Sequence, residues 1–182
     1  MAGGGGSALV TDRLELAPLT AAALDAWIVG DRDRLEAQTG ARFEAPPSPP
    51  PLMEDALPAM RDGLGAGSEG EGWGPWLIVA RVTCEALGSC GLRGKPDFAG
   101  AVEIGYSLYP RFEQQGYATE AARALVGWAF EQPGVAAVRA TIPAWHKPSL
   151  RVAEKLGMRQ VATTHDGEVG EILVFEVRKP PS

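Results

Sequence analysis

Cysteine and histidine are scarce in this chain: Cys84, Cys90, His146 and His165 are all there are among 182 residues. Two cysteines six positions apart make neither a disulfide scaffold nor a metal cluster. They read as buried free thiols or, alternatively, as a reactive pair. Two histidines are too few for metal catalysis built on several imidazoles, so no metal is expected. Long apolar runs are missing too. None approaches the ~20 residues that a membrane-spanning helix needs, so no membrane partner is expected. The opening MAGGGGSALV has neither the basic region nor the apolar stretch of a secretion signal. It reads as a flexible tail over residues 1–7, and the location expected from these missing signals is the cytoplasm. Positive charge is in deficit, with 17 Lys and Arg against 23 Asp and Glu, a formal net charge of −6 and a pI near 5.0. That balance excludes a nucleic-acid grip resting on a basic face.

What remains is ordinary for a globular protein, 45% hydrophobic and 22% charged. The length suits one domain, placed at residues 8–178, with a short tail at 179–182. Glycine (23) and proline (15) are in excess, and their positions punctuate the chain. Leucines in partial alternation over residues 8–19 suit an edge strand. Thr20 is a candidate N-cap for a helix through Leu24, Trp27 and Ile28 that Gly30 ends. A short charged helix fits residues 31–38. Five prolines between Pro46 and Pro51 force extended backbone, either as a linker or as a semi-rigid wall beside a cleft. Leu52, Ala56, Met60 and Leu64 share one helical face, which predicts a helix over residues 52–64. A glycine-rich loop follows to Gly74.

The apolar run WLIVARV from Trp76 reads as a buried strand, with residues 85–92 pairing back onto it. VEIGYSL, residues 102–108, alternates as a strand does. Ala118, Ala121, Ala122, Leu125, Val126, Ala129 and Phe130 then repeat at helical spacing, stopped by Pro133 and Gly134. A strand over 135–142, a helix over 149–156 closed by Gly157, and strands over 160–164 and 171–177 complete the chain. The order implies a mixed α/β domain around one sheet.

The chemistry points to YPRFEQQGYATEA, residues 109–121. A strand ends, Pro110 breaks it, and a glycine opens the long helix. Free amides at a helix start bind phosphate without basic side chains, and Gly116 lets an anion approach the backbone. No Lys or Ser/Thr follows that glycine in the spacing of a nucleotide-binding P-loop. A second segment, TIPAWHKPSLRVAEKLGM, lies at residues 141–158.

With QQGYATEA, VEIGYSLYP and SLRVAEKLGM in these places, the sequence resembles the GNAT superfamily of acyl-CoA-dependent N-acetyltransferases. It is most similar to the branch of ribosomal-protein N-terminal acetyltransferases. Glu113 stands where the family's phosphate motif usually carries Gln or Arg, and His146 where an Asn is frequent. The resemblance implies a GNAT-like acyl-CoA N-acyltransferase fold, a central, mostly antiparallel sheet with flanking helices. It implies acetyl-CoA as cosubstrate and a small-molecule or peptide amine as acceptor, in a monomer or homodimer. Backbone groups of Ser107 and Leu108 would pair with the pantetheine arm. Amides of Gln114, Gln115, Gly116, Tyr117 and Ala118 would hold the diphosphate beside Thr119. His146 and Ser149 would flank the thioester. Glu103 is the candidate base, or else a solvated glutamate on an alternating strand. Ser149 or a water would return a proton to the thiolate, unless its hydroxyl only bonds its own helix. Trp27, Phe43, Trp73, Trp76 and Trp145 are candidates for cleft walls or for core. A non-catalytic acyl-CoA-binding or regulatory domain is the competing reading.

Overall fold

The computed structural model describes residues 7–64 and 72–181. The start of the N-terminal tail and most of the glycine-rich loop lie outside the described residues. The elements follow the order β1 (Leu9–Val10), β2 (Leu14–Pro18), α1 (Ala21–Ile28), α2 (Arg32–Thr39), α3 (Leu57–Gly63), β3 (Pro75–Ala80), β4 (Ala86–Leu92), β5 (Ala101–Leu108), α4 (Tyr117–Glu131), β6 (Ala137–Pro143), α5 (Lys147–Lys155), β7 (Arg159–Asp166) and β8 (Gly170–Arg178). The eight strands form one sheet in the order β1-β2-β3-β4-β5-β6-β8-β7. Every pairing is antiparallel except β5 with β6. The mixed α/β, mostly antiparallel architecture expected from the sequence is therefore present.

The parallel junction is short. β5 and β6 pair only over Ala101↔Ala137, Val102↔Val138 and Glu103↔Arg139. Beyond Glu103, β5 stays with β4 as far as Leu108, while β6 follows β8 to Pro143. The sheet opens into a V whose apex is Glu103–Arg139. Among the described residues, one edge of β5 past the apex has no strand partner, and a free edge of this kind can accept an extended ligand.

Strand alternation sorts the two faces. Leu14, Leu16, Trp76, Ile78, Cys90, Val102, Ile104 and Leu108 meet Ala121, Ala122, Leu125 and Ala129 of α4 in one core. Leu19, Leu24, Trp27, Phe43 and Leu77 form the second, under α1, α2 and α3. The helix starts follow local chemistry. Thr20 and Asp31 accept the Ala23 and Arg34 amides as N-caps, and Gly40, left-handed, ends α2.

Two expectations change. The third helix starts at Leu57, five residues later than the periodicity suggests, because Leu52 is left-handed at φ 68 and 74% exposed. Cys84 is exposed and only Cys90 is buried, where desolvation pushes its thiol up to about 12; both are free. Of the candidate cleft aromatics, Trp27, Phe43 and Trp76 are core, and Trp73 packs edge-on against Trp128. Trp145 stands apart, 59% exposed.

Candidate acyl-donor site

β5 ends at Leu108, a single 3-10 turn occupies Pro110–Phe112, and the chain enters α4 through two left-handed residues, Gln114 (φ 59) and Gly116 (φ 83). This path brings the start of α4 to the open mouth of the V. Among the described residues, no amide from Gln114 to Thr119 donates to a protein acceptor; the next inward bond is Glu120 N–H to the Gly116 carbonyl, 3.0 Å. Six consecutive amides thus have no partner among the described residues, at the positive end of a fifteen-residue helix, where an anion is favoured. No side chain caps this helix. That group fits a diphosphate. The predicted loop residues Gln114, Gln115, Gly116, Tyr117, Ala118 and Thr119 run consecutively here, and Thr119 is buried.

Ser107 and Leu108 end β5 at the same mouth; Ser107 faces its partner Ser89 of β4, as Tyr109 faces Leu87, so the Leu108 backbone is the one turned to the free edge. The Ser107 hydroxyl turns to the other face of the sheet and donates to the Pro51 carbonyl, 2.6 Å. Tyr109 does the same to Ser48, 2.7 Å. The proline segment is therefore fastened to the end of β5 as a wall, and it lines a cavity of about 590 Å³ with Tyr109, Arg111, Glu54 and Asp55. Arg111 is held in that wall by ion pairs to Glu44 and Glu85.

The opposite arm carries His146 and Ser149. His146 caps α5, its Nδ1 accepting the Ser149 amide at 3.3 Å. The Ser149 hydroxyl makes no bond within its own helix. Across the V, the Tyr106 hydroxyl donates to the Ser149 carbonyl, 3.0 Å, so β5 and α5 touch through these two residues. Burial pushes the Tyr106 phenol up to about 12, which keeps it a donor at neutral pH. Trp145 donates its indole N–H to the Val169 carbonyl, 3.2 Å, and meets His146 edge-on at 5.4 Å, placing an aromatic at the rim.

Glu103 is set apart from this group. It sits at the apex, with Arg139 as its cross-strand neighbour and Arg93 3.7 Å away. The amide loop, Ser107–Leu108 and His146–Ser149 thus converge on the mouth of the V, and Glu103 lies at its closed end. Sequence reasoning missed Tyr106 and Arg13. Tyr106 was visible as the one residue of the alternating β5 whose apolar body carries a polar tip. Arg13 left no local signal. Its guanidinium pairs with Glu120 (Nε to Oε2, 2.7 Å), donates to the Gln115 carbonyl (3.0 Å) and lies 4.4 Å from the centre of the Tyr117 ring.

A splayed sheet with a helix start at its mouth can take an extended anionic ligand, and comparison with known proteins gives the family. Residues 13–159 match the family model described as Acetyltransferase (GNAT) domain, and the chain belongs to that family. It is 32% identical over 103 residues to the uncharacterized N-acetyltransferase YjdG of Bacillus subtilis, covering 57% of this chain and 61% of that protein. It is 36% identical over 96 residues to the uncharacterized protein YkkB of the same organism, covering 52% and 56%. The chain thus spans about three fifths of the length of these curated relatives. Among solved structures, a putative GNAT-family acetyltransferase from Bordetella pertussis has a TM-score of 0.64 at 28% identity, covering 93% of this chain and 98% of that one. RimL, a ribosomal alpha-N-protein acetyltransferase in complex with coenzyme A, has a TM-score of 0.68 at 15% identity, with 94% and 98% covered, a likeness of fold.

Proposed function

We propose that this chain is an acetyl-CoA-dependent N-acetyltransferase that transfers an acetyl group to a primary amine by direct attack in a ternary complex. The observation that carries the reading is the run of six unpartnered amides, from Gln114 to Thr119, at the mouth of the V. The cosubstrate supplies the activated acetyl group as a thioester. The amides of residues 114–118, with Thr119, hold its diphosphate, so an acidic protein binds an anion without a basic face. The free edge of β5 at Leu108, next to Ser107, aligns the pantetheine arm as an added strand, and the Leu108 amide faces charge that develops on the acyl oxygen. Holding both reactants in one cleft supplies much of the rate.

In this reading Glu103 takes the ammonium proton onto its carboxylate through water relayed from the closed end of the V. Ser149, whose hydroxyl is not tied to its own helix, or a water, relays the proton shed by the newly acylated nitrogen to the departing sulfur. His146 shapes that arm by capping α5. The acceptor is a small-molecule or peptide amine entering between the proline wall and the rim at Trp145. Glu103→Gln is expected to lower kcat by about 10²-fold or more, in the range of general-base effects. Unchanged turnover and pH profile remove Glu103 from the role.

The test of the reading is thiol release from acetyl-CoA with a panel of protein N-terminal peptides, small amines and amino acids. Release with at least one amine supports it. CoA binding without release on any amine favours a non-catalytic acyl-CoA-binding domain, and absence of CoA binding overturns both.

A further inference from the structure

We propose that Arg13, in the turn between β1 and β2, is a positioning residue for the diphosphate-binding amides. The proposal rests on the acyl-donor reading above and assigns it a residue about one hundred positions away from the loop. Four contacts from one guanidinium carry it. Nη1 donates to the Gln115 carbonyl at 3.0 Å, Nε pairs with Glu120 at 2.7 Å, and the carbon lies 4.4 Å from the Tyr117 ring centre. Nη2 lies so near Gly116 that a Cβ there would meet it at 3.3 Å.

The consequence is geometric. In a trans peptide the carbonyl and the following N–H point in opposite directions. By fixing the Gln115 carbonyl, Arg13 fixes the direction of the Gly116 N–H, one of the six amides without a partner among the described residues. Stacking on Tyr117 holds the next residue of the same turn. Glu120 supplies the electrostatic half. Its carboxylate lies in the first turn of α4, beside an anion site, where alone it would repel a diphosphate. It accepts the Thr11 hydroxyl at 2.6 Å, the Arg13 amide at 3.0 Å and the guanidinium at 2.7 Å. The ion pair therefore cancels the one acidic charge in that first turn and fastens the helix start to the β1–β2 turn.

Calorimetric titration with coenzyme A tests this. Arg13→Ala is expected to weaken CoA binding about tenfold, the scale of one charge-assisted contact. The double variant Arg13→Ala/Glu120→Gln is expected to recover part of that loss, because the carboxylate left facing the diphosphate is gone. In turnover, the KM for acetyl-CoA should rise with kcat changed less than about twofold, since the strand edge and Ser149 are untouched. S-acetylpantetheine, which lacks the diphosphate, should show no comparable rise in KM. A merely structural arginine would lose both donors equally and would gain nothing from the second substitution; that result, or an unchanged CoA affinity, overturns the proposal. If Arg13→Ala fails to fold, Arg13→Lys keeps the charge and loses the fork, and affinity equal to the parent protein overturns it. A parent protein that binds no CoA overturns the donor reading itself.

Discussion

Gly116→Ala perturbs the site at its most constrained backbone position. Gly116 has φ +83 and opens α4 without a side-chain cap. A residue with a Cβ pays roughly 1–2 kcal/mol to hold this left-handed conformation. The new methyl would also meet Arg13 Nη2 at 3.3 Å, a contact that a shift of a few tenths of an ångström relieves. The backbone term therefore decides the outcome, and it can appear in two places. If the loop keeps its shape, stability falls by about 1–2 kcal/mol, which for a chain of this size is a melting shift of about 2–8 °C. If the loop relaxes, residues 114–119 no longer point their amides together. Binding must then restore them, and CoA affinity drops about 5- to 30-fold by the same free energy. Differential scanning fluorimetry and calorimetric titration of CoA on the same preparations read both. A variant that melts with the parent protein and binds CoA within twofold would refute the claim that a left-handed glycine holds the cradle.

Three further expectations follow from the same geometry. Glu176 is only 5% exposed, accepts Arg139 at 2.8 Å and forms an ion pair with Arg178 at 2.9 Å; because both arginines keep solvent contact, Glu176→Ala should cost about 1–2 kcal/mol in urea unfolding, and a change below about 0.5 kcal/mol contradicts the buried-acceptor account. For Glu120, burial alone would raise the carboxyl pKa, but the bonds from Thr11 and Arg13 outweigh it and hold it below its ordinary 4.5. A depressed folded pKa gives stability that is complete above 4.5 and is lost as pH falls through the folded value, so Glu120→Gln should flatten the acid side of a Tm–pH profile below 4.5 and leave its shape at neutral pH unchanged. Ser107→Ala removes the 2.6 Å bond to the Pro51 carbonyl, and loosening that wall should raise the acceptor KM several-fold, on the order of one hydrogen bond, without moving the KM for acetyl-CoA; an unchanged acceptor KM detaches the proline segment from the substrate.

The helical repeat from Ala118 to Phe130 and the alternation of VEIGYSL were legible because each element buries one face on one core, and burial writes its period into the sequence. Gly116 was legible for a local reason, since a glycine between a broken strand and a helix marks a backbone that must turn left. Leu52 misled because its spacing to Ala56 and Met60 is helical, while the adjoining prolines hold it in an exposed, left-handed turn. Tyr106 reaching Ser149 and Arg13 reaching Gln115 were not legible at all. Each joins residues more than forty positions apart, and only the sheet order brings them together. Glu103 could be placed on a strand from its sequence, but its position at the apex depends on where β5 and β6 part.

The central claim is that the diphosphate of the acyl donor sits on the amides of residues 114–119 at the mouth of the V. Amide-resolved NMR of the labelled protein during titration with CoA tests it most directly. Saturable shifts are expected at Gln114 to Thr119 and along the β5 edge at Ser107 and Leu108. Shifts confined to the proline-walled cavity around Tyr109 and Arg111, or no shifts at saturating CoA, would contradict it.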